Sequence, residues 1–316
     1  MTDQAIKLEH ARIDKLLTQQ EQLIKRQFLI FISLTTSSDP LIKVKAFIAN
    51  NNIEGVLRLL EGYIFNLSNV FGTVLINSAT QEAAIWSVRL GLITQTQNLF
   101  NIADERVGIT LSKNRHNFIT NMQRQQRELI RQALIDGMRM DETSEQLTTR
   151  YKNTVGLTRA QYRSVNTYRL SLMQNNNDTA NDNLLHMTGL DIQVQKAIDE
   201  NDKLTTNQIT LMVDRYIDNL RRDRAKTIAN TEALRILNQG RNIAVRQVAT
   251  IAGLDPRSGT KRWITTMDGR ERDTHAALNG DEVDMDEPFV SPSGANLMTP
   301  GDTSLGAPPQ EIINCR

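Results

Sequence analysis

Along most of the first 250 residues apolar positions recur every three or four places, the spacing of a helix that buries one face. The pattern predicts helices over 3 to 32, 41 to 49, 53 to 66, 80 to 101 and 112 to 138. In the last of these, Phe118, Met122, Leu129 and Ala133 share one face while Lys113, Arg124, Arg127 and Arg131 line another. A further long helix is expected from about 220 to 251, with Leu234, Leu237, Ala244, Val248 and Ile251 turned inward. Three start signals share one form: Thr143-x-x-Gln146, Thr158-x-x-Gln161 and Thr205-x-x-Gln208. In each the threonine hydroxyl can accept from the third helical amide while the glutamine reaches back to the cap amide. The run Asn175-Asn176-Asn177-Asp178 reads as a polar loop.

Past residue 250 the helical period fades. Six of the seven prolines (Pro256, Pro288, Pro292, Pro300, Pro308 and Pro309) and seven of the sixteen glycines lie from Gly253 onward. Proline inside a helix removes a hydrogen bond and clashes with the preceding turn, so long helices are excluded there. The junction falls at Gly253-Leu254-Asp255-Pro256. Lys261 to Thr266 is aromatic and β-branched enough to form a strand, with a turn at Asp268-Gly269, and Asn279-Gly280 is a second turn able to join strands. The expected fold class is mainly α: a long-helix N-terminal body followed by a small loop-rich α+β C-terminal domain. The expected divisions are a helical body over 1–200, long helices over 201–252 and the small domain over 253–316.

Composition narrows the partners. Thirty-seven basic residues against thirty-six acidic ones leave a formal charge of +1, so nothing draws the whole chain toward nucleic acid or an anionic membrane. A single cysteine cannot bridge within the chain, and the N-terminal residues lack the basic and apolar regions of a secretion signal, which favours a reducing cytoplasm. The longest unbroken apolar run, Phe28 to Ile32, is far short of the roughly 20 residues of a bilayer span, so no membrane helix is expected. Charge is nonetheless uneven. Eleven basic residues face five acids from Leu111 to Arg169, and eight face three from Arg215 to Arg246, whereas seven acids face only Arg316 from Asp281 onward. Lys113, Arg124, Arg127 and Arg131, and with them Arg221, Arg222 and Arg224, are candidates for sequence-independent phosphate contacts. For the first four an ordinary solvated helix face is the simpler reading, because no aromatic residues interleave them.

The tail holds the ligand-type residues Asp268, Asp273, His275, Asp281 and Cys315. One cysteine and one nearby histidine fall short of the four nitrogen or sulfur ligands of a structural zinc site and the three of a catalytic one, so no metal or cofactor is expected. A Cys315 nucleophile with His275 as base, or Asp268, Asp273 and His275 around a magnesium ion, are the enzymatic alternatives. In the structural reading Trp263 anchors a small core. Arg270 and Arg272 then pair with Asp281, Glu282, Asp284, Asp286 or Glu287, His275 is a hydrogen-bonded turn residue, and Asn314 and Cys315 dock the terminus.

The ordered series Arg224 to Ala233 (Arg-Ala-Lys-Thr-Ile-Ala-Asn-Thr-Glu-Ala), Asn238-Gln239-Gly240-Arg241, Trp263, Asp268-Gly269-Arg270-x-Arg272-x-x-His275, Leu278-x-Gly280, Glu287-Pro288-Phe289, Pro300-Gly301-Asp302 and Asn314-Cys315-Arg316 resembles the phage Mu F-like family of head morphogenesis or minor capsid proteins. The resemblance covers about 220 to 316. Departures from it are Asn230, where the family has arginine, and the absence of a further cysteine after Arg316. It implies a minor component of a tailed phage's head, made in the host cytoplasm and associating with portal, coat or scaffold proteins, in a ring at the portal vertex or in the procapsid. It further implies, from some relatives, a role in DNA packaging or ejection. The family-motif residues are Trp263, Asp268, Arg270, Arg272, His275, Gly280, Pro300, Gly301, Asn314 and Cys315, and on the structural reading above none of them is expected to be catalytic. The alternative it leaves is a head-maturation nuclease or protease built on His275.

Overall fold

The computed structural model describes residues 3–95, 100, 101, 103–174, 204–265, 269 and 271–313; the polar run at 175–178 lies outside them. In chain order the elements are α1 (Asp3–Thr35), α2 (Ser38–Ala49), α3 (Ile53–Thr94), α4 (Glu105–Arg139), α5 (Ser144–Thr154), α6 (Arg159–Met173), α7 (Thr206–Ile251), β1 (Thr260–Arg262), α8 (Asp273–Ala276), β2 (Glu282–Asp284), β3 (Phe289–Val290), β4 (Asn296–Leu297) and α9 (Pro309–Ile312). The protein is mainly α, with long helices first and short strands at the end, as the change of period at residue 250 predicts.

All three threonine starts form reciprocal caps. Gln146, Gln161 and Gln208 donate their backbone N–H to the Thr143, Thr158 and Thr205 hydroxyls at 3.3, 3.2 and 3.3 Å. The threonine amides donate back to the glutamine side chains at 2.7, 3.0 and 2.8 Å. A cap of this kind is worth about 1 kcal/mol.

Two pairs of expected helices are single ones. The stretches 53 to 66 and 80 to 101 belong to one helix, α3, ending at Thr94. Between them Leu67, Phe71, Leu75 and Ala79 keep the helical spacing on the buried side. The intervening Thr73 and Ser78 satisfy their hydroxyls within the helix, Thr73 donating to the Asn69 carbonyl at 3.1 Å and Ser78 to the Val74 carbonyl at 2.7 Å. Likewise the start at Thr205 and the helix expected from 220 are one element, α7. It buries Leu234, Leu237, Ala244 and Val248, but Ile251, expected inside, is 49% exposed in the last turn. By length and hydropathy α3 also qualifies as a candidate bilayer span, which a search for unbroken apolar runs misses.

The chain forms two compact units, one of residues 1–28, 67–118 and 225–316, the other of residues 29–66 and 119–224. The second has a core of Leu129, Leu157, Val165, Tyr168, Leu172, Met212, Val213 and Ile217. Within it the turn before α6 is clamped by one side-chain amide. Gln126 donates to the Leu157 carbonyl at 2.7 Å and accepts from the Gly156 amide at 2.8 Å. Gly156 sits at φ 82°, where a side chain would be strained and would also meet Ile32. The first unit carries the small α+β module and most of the motif residues.

Candidate functional site

The module is built around Trp263. Strands β1 and β2 pair antiparallel with Thr260 opposite Asp284 and Arg262 opposite Glu282. The ladder continues beyond them, Trp263 donating to the Asp281 carbonyl and Gly280 to the Trp263 carbonyl, both at 2.9 Å. Gly280 stands at φ 94°, so the Asn279-Gly280 turn leads from α8 into β2 and does not join two strands of a hairpin. Asn279 holds the turn by accepting the Thr265 amide at 3.0 Å. Trp263, 3% exposed, packs with Leu278, Phe289 and Leu297, and its ring meets Phe289 edge-on at 5.1 Å. β1 is shorter than the strand expected from Lys261 to Thr266, because beyond the Trp263 bonds the chain pairs with the Asn279 side chain rather than with a strand.

His275 also meets that indole edge-on, with ring centroids 5.3 Å apart. It is buried on α8, and its Nε2 stands 3.1 Å from Oε2 of Glu311 on α9. Thr274 donates to the same carboxylate oxygen at 3.0 Å, and Arg272 reaches the Ile313 carbonyl. Burial, with the nearby Arg272 cation, pushes the His275 pKa down against the pull of Glu311. Glu311, although burial opposes it, is held below the usual carboxylate range by hydrogen bonds from Ser293 and Thr274 and by His275. The result is a polar joint beneath an aromatic lid that ties α9 to α8. Asp273 is exposed on the first turn of α8. Asp268, Arg270, Asn314 and Cys315 lie outside the described residues. Among the described residues no group of three or more His, Cys, Asp or Glu side chains converges as metal ligands would.

The acidic segment is fastened by arginines outside the expected pair. Arg262 pairs with Glu282 at 2.6 Å and Arg246 of α7 pairs with Asp286. Arg272 spends its guanidinium on the C-terminal backbone instead.

The Pro300-Gly301-Asp302 motif is a docking loop. Asn238 of α7 donates to the Pro300 carbonyl at 3.1 Å. Gly301, at φ 79°, lies against the backbone of α7, where an added β-carbon would stand 3.6 Å from the Thr231 carbonyl oxygen. Asp302 closes the loop by accepting from the Met298 and Ser304 amides at 3.2 and 3.0 Å. Beside it the buried pair Glu232 and Arg235, 2.8 Å apart, reaches toward Thr303. The motif on α7 and the motif in the tail are thus two halves of one contact.

A cluster that periodicity and motif do not reveal lies in the same unit. Glu82 of α3, fully buried, accepts from Arg12 of α1 at 2.8 Å, from Arg241 of α7 at 2.7 Å and from the Trp86 indole at 3.0 Å. Glu9 accepts from Arg12 at 2.7 Å and Arg89 at 2.5 Å. The guanidiniums of Arg89 and Arg241 lie 5.7 and 5.5 Å from the Trp86 ring. Burial alone would raise both carboxyls, but the arginines win: Glu9 falls to about 2 and Glu82 is lowered as well. Only Arg241 belongs to a recognisable motif, and no local pattern announces partners so far apart in the chain.

The basic candidates divide. Arg221 is buried and donates to the Val155 carbonyl at 3.0 Å and the Lys152 carbonyl at 2.5 Å. Arg224 is 7% exposed, and burial lowers its pKa to about 10. Arg127 bridges Glu54 at 2.6 Å and Glu61 at 2.5 Å, and Arg131 also pairs with Glu54. Lys113, Arg124 and Arg222 are exposed, Arg124 resting on Asn121 at 3.2 Å.

What these features define is a helical protein whose last long helix carries a small α+β cap, with its signature residues at the joint. The family described as Phage Mu protein F like protein matches residues 124–316, and the chain belongs to that family. Membership makes it a phage head-morphogenesis protein. The match starts well before 220, so the family region takes in the last 16 residues of α4, then α5 and α6, as well as α7 and the tail. No curated protein matches the chain, and neither does any solved structure.

Proposed function

We propose that this protein is a minor structural component of the phage head, bound at the portal vertex or to the procapsid, where it assists head assembly, DNA packaging or DNA ejection without catalysing a reaction. The observation that carries the reading is the use of the motif residues inside the fold. His275 is taken up by Glu311 and Trp263, Arg272 by the Ile313 carbonyl, and Pro300 and Gly301 by α7. Residues so engaged serve a shape that another protein can grip. The partners expected are portal, coat or scaffold subunits, and the exposed Lys113, Arg124 and Arg222 are the groups left to approach packaged DNA.

The test is co-purification. Antibody against this chain should find it in procapsids or virions and in complexes captured through the portal protein, and its absence from both overturns the proposal. The enzymatic alternative makes the opposite demand: nuclease or protease turnover in the purified parent that is lost in His275→Ala with the fold retained.

A further inference from the structure

Water-facing helix surfaces are normally charged, and the outer face of α3 is not. Between Leu67 and Thr94 the only charged residues are Glu82 and Arg89, and both are spent in the ion cluster. Val70, Val88 and Leu92 are 44%, 60% and 79% exposed, and Asn77, Gln81 and Ala84 are exposed between them. Of the most apolar stretch of α3, 39% is fully buried. The positions Val70, Val74, Asn77, Gln81, Ala84 and Val88 follow one another in steps of four and three, the spacing of a seam that receives a second helix. Along this seam α1 contributes Gln19, Gln22 and Leu23 to an open groove of 880 Å³ whose lining holds no charged residue. The hydroxyl of Thr80, on the same groove, is buried without a hydrogen-bond partner among the described residues.

We propose that this face is where two copies of the chain associate. The occupant must be a helix, because the seam has helical spacing, and must carry no charge, because the groove offers no counter-charge. A bilayer meets the second condition but would strand the Asn77 and Gln81 carboxamides, which need hydrogen-bonding partners once water is gone. The face itself meets both. A carboxamide is donor and acceptor at once, so it pairs with another of its kind, and an uncharged surface meets its own copy without repulsion. With a two-fold axis passing between Asn77 and Gln81, antiparallel α3 helices set Asn77 of one copy opposite Gln81 of the other, Val74 opposite Ala84 and Val70 opposite Val88. The contact is isologous and closes on itself.

Sedimentation velocity on the intact chain tests it. The parent should sediment as a dimer. Gln81→Glu combined with Ala84→Glu, which sets like charges face to face at exposed positions, should weaken association by more than about a hundredfold while helical circular dichroism is unchanged. Val70→Cys with Val88→Cys, in a Cys315→Ser background, should give a covalent dimer on mild oxidation, which keeps the test valid if the acidic variant misfolds. A parent that stays monomeric, a dimer indifferent to the two glutamates, or no cross-link between the cysteines overturns the proposal. So does co-sedimentation of the monomer with phosphatidylcholine vesicles, which would assign the face to lipid.

Discussion

Gly240 of α7 lies so close to α3 that a β-carbon on it would stand 2.5 Å from the carbonyl oxygen of Ala79. The obstacle is backbone, which cannot swing aside as a side chain can. The neighbours of Gly240 hold the approach in place, Gln239 donating to the Thr110 carbonyl at 3.3 Å and Arg241 to Glu82. Gly240→Ala should therefore force the two helices apart and cost about 1–3 kcal/mol, the range for overpacking a close contact. A urea midpoint equal to the parent's would show that the helices do not meet this way.

Glu82 neutralises two guanidiniums from distant parts of the chain. Glu82→Ala leaves Arg12 and Arg241 facing each other without their shared carboxylate, a loss of about 3–5 kcal/mol by chemical denaturation. The same cluster sets an acid limit. Because Glu9 titrates at about 2 in the fold against 4.5 ordinarily, its contribution is complete above pH 4.5 and is lost as the pH falls toward 2, and Glu82 shifts in the same direction. Acid unfolding followed by circular dichroism should fall in that window, and should move to higher pH in Arg89→Ala.

His275 gives a second, milder pH dependence. Its folded pKa lies below the ordinary 6.5, so as the pH drops past 6.5 the unfolded chain takes up the proton first and the module loses stability. Above 6.5 both states are neutral and the effect vanishes. His275→Gln should flatten the slope of stability against pH below 6.5, and an imidazole that titrates above 6.5 by NMR would contradict the burial that causes the shift.

The arginines separate into those that hold the fold and those that face water. Arg221→Ala strips the Val155 and Lys152 carbonyls of their donor and should cost about 1–3 kcal/mol. In contrast Lys113→Ala, Arg124→Ala and Arg222→Ala together should leave the melting temperature within a degree or two. If these three touch DNA, the triple change should reduce the slope of log affinity against log salt by about 3 in a filter-binding series. An unchanged slope would remove them as phosphate contacts.

What the sequence determined by itself was local. Each Thr-x-x-Gln start lies within three residues of its partner, so residue spacing alone made the caps at Thr143, Thr158 and Thr205 legible. Helical periodicity marked the buried faces, and the prolines from Pro256 onward marked where long helices stop. The candidate site was half legible in the same sense. Trp263 as a core anchor followed from its size, and the turn at Asn279-Gly280 followed from glycine's access to positive φ, although what that turn would connect did not. Tertiary structure decided what each buried face would meet. Whether Glu82 or Arg221 would be solvated or interior depended on partners 70 and 66 residues away in the chain, Arg12 and Val155. It also decided that Arg246 and Arg262 fasten the acidic segment while Arg272 turns to the C-terminal backbone. Periodicity reports which side of a helix is dry, but a carboxylate's fate turns on which cation the fold brings to it, and that is a property of three-dimensional packing.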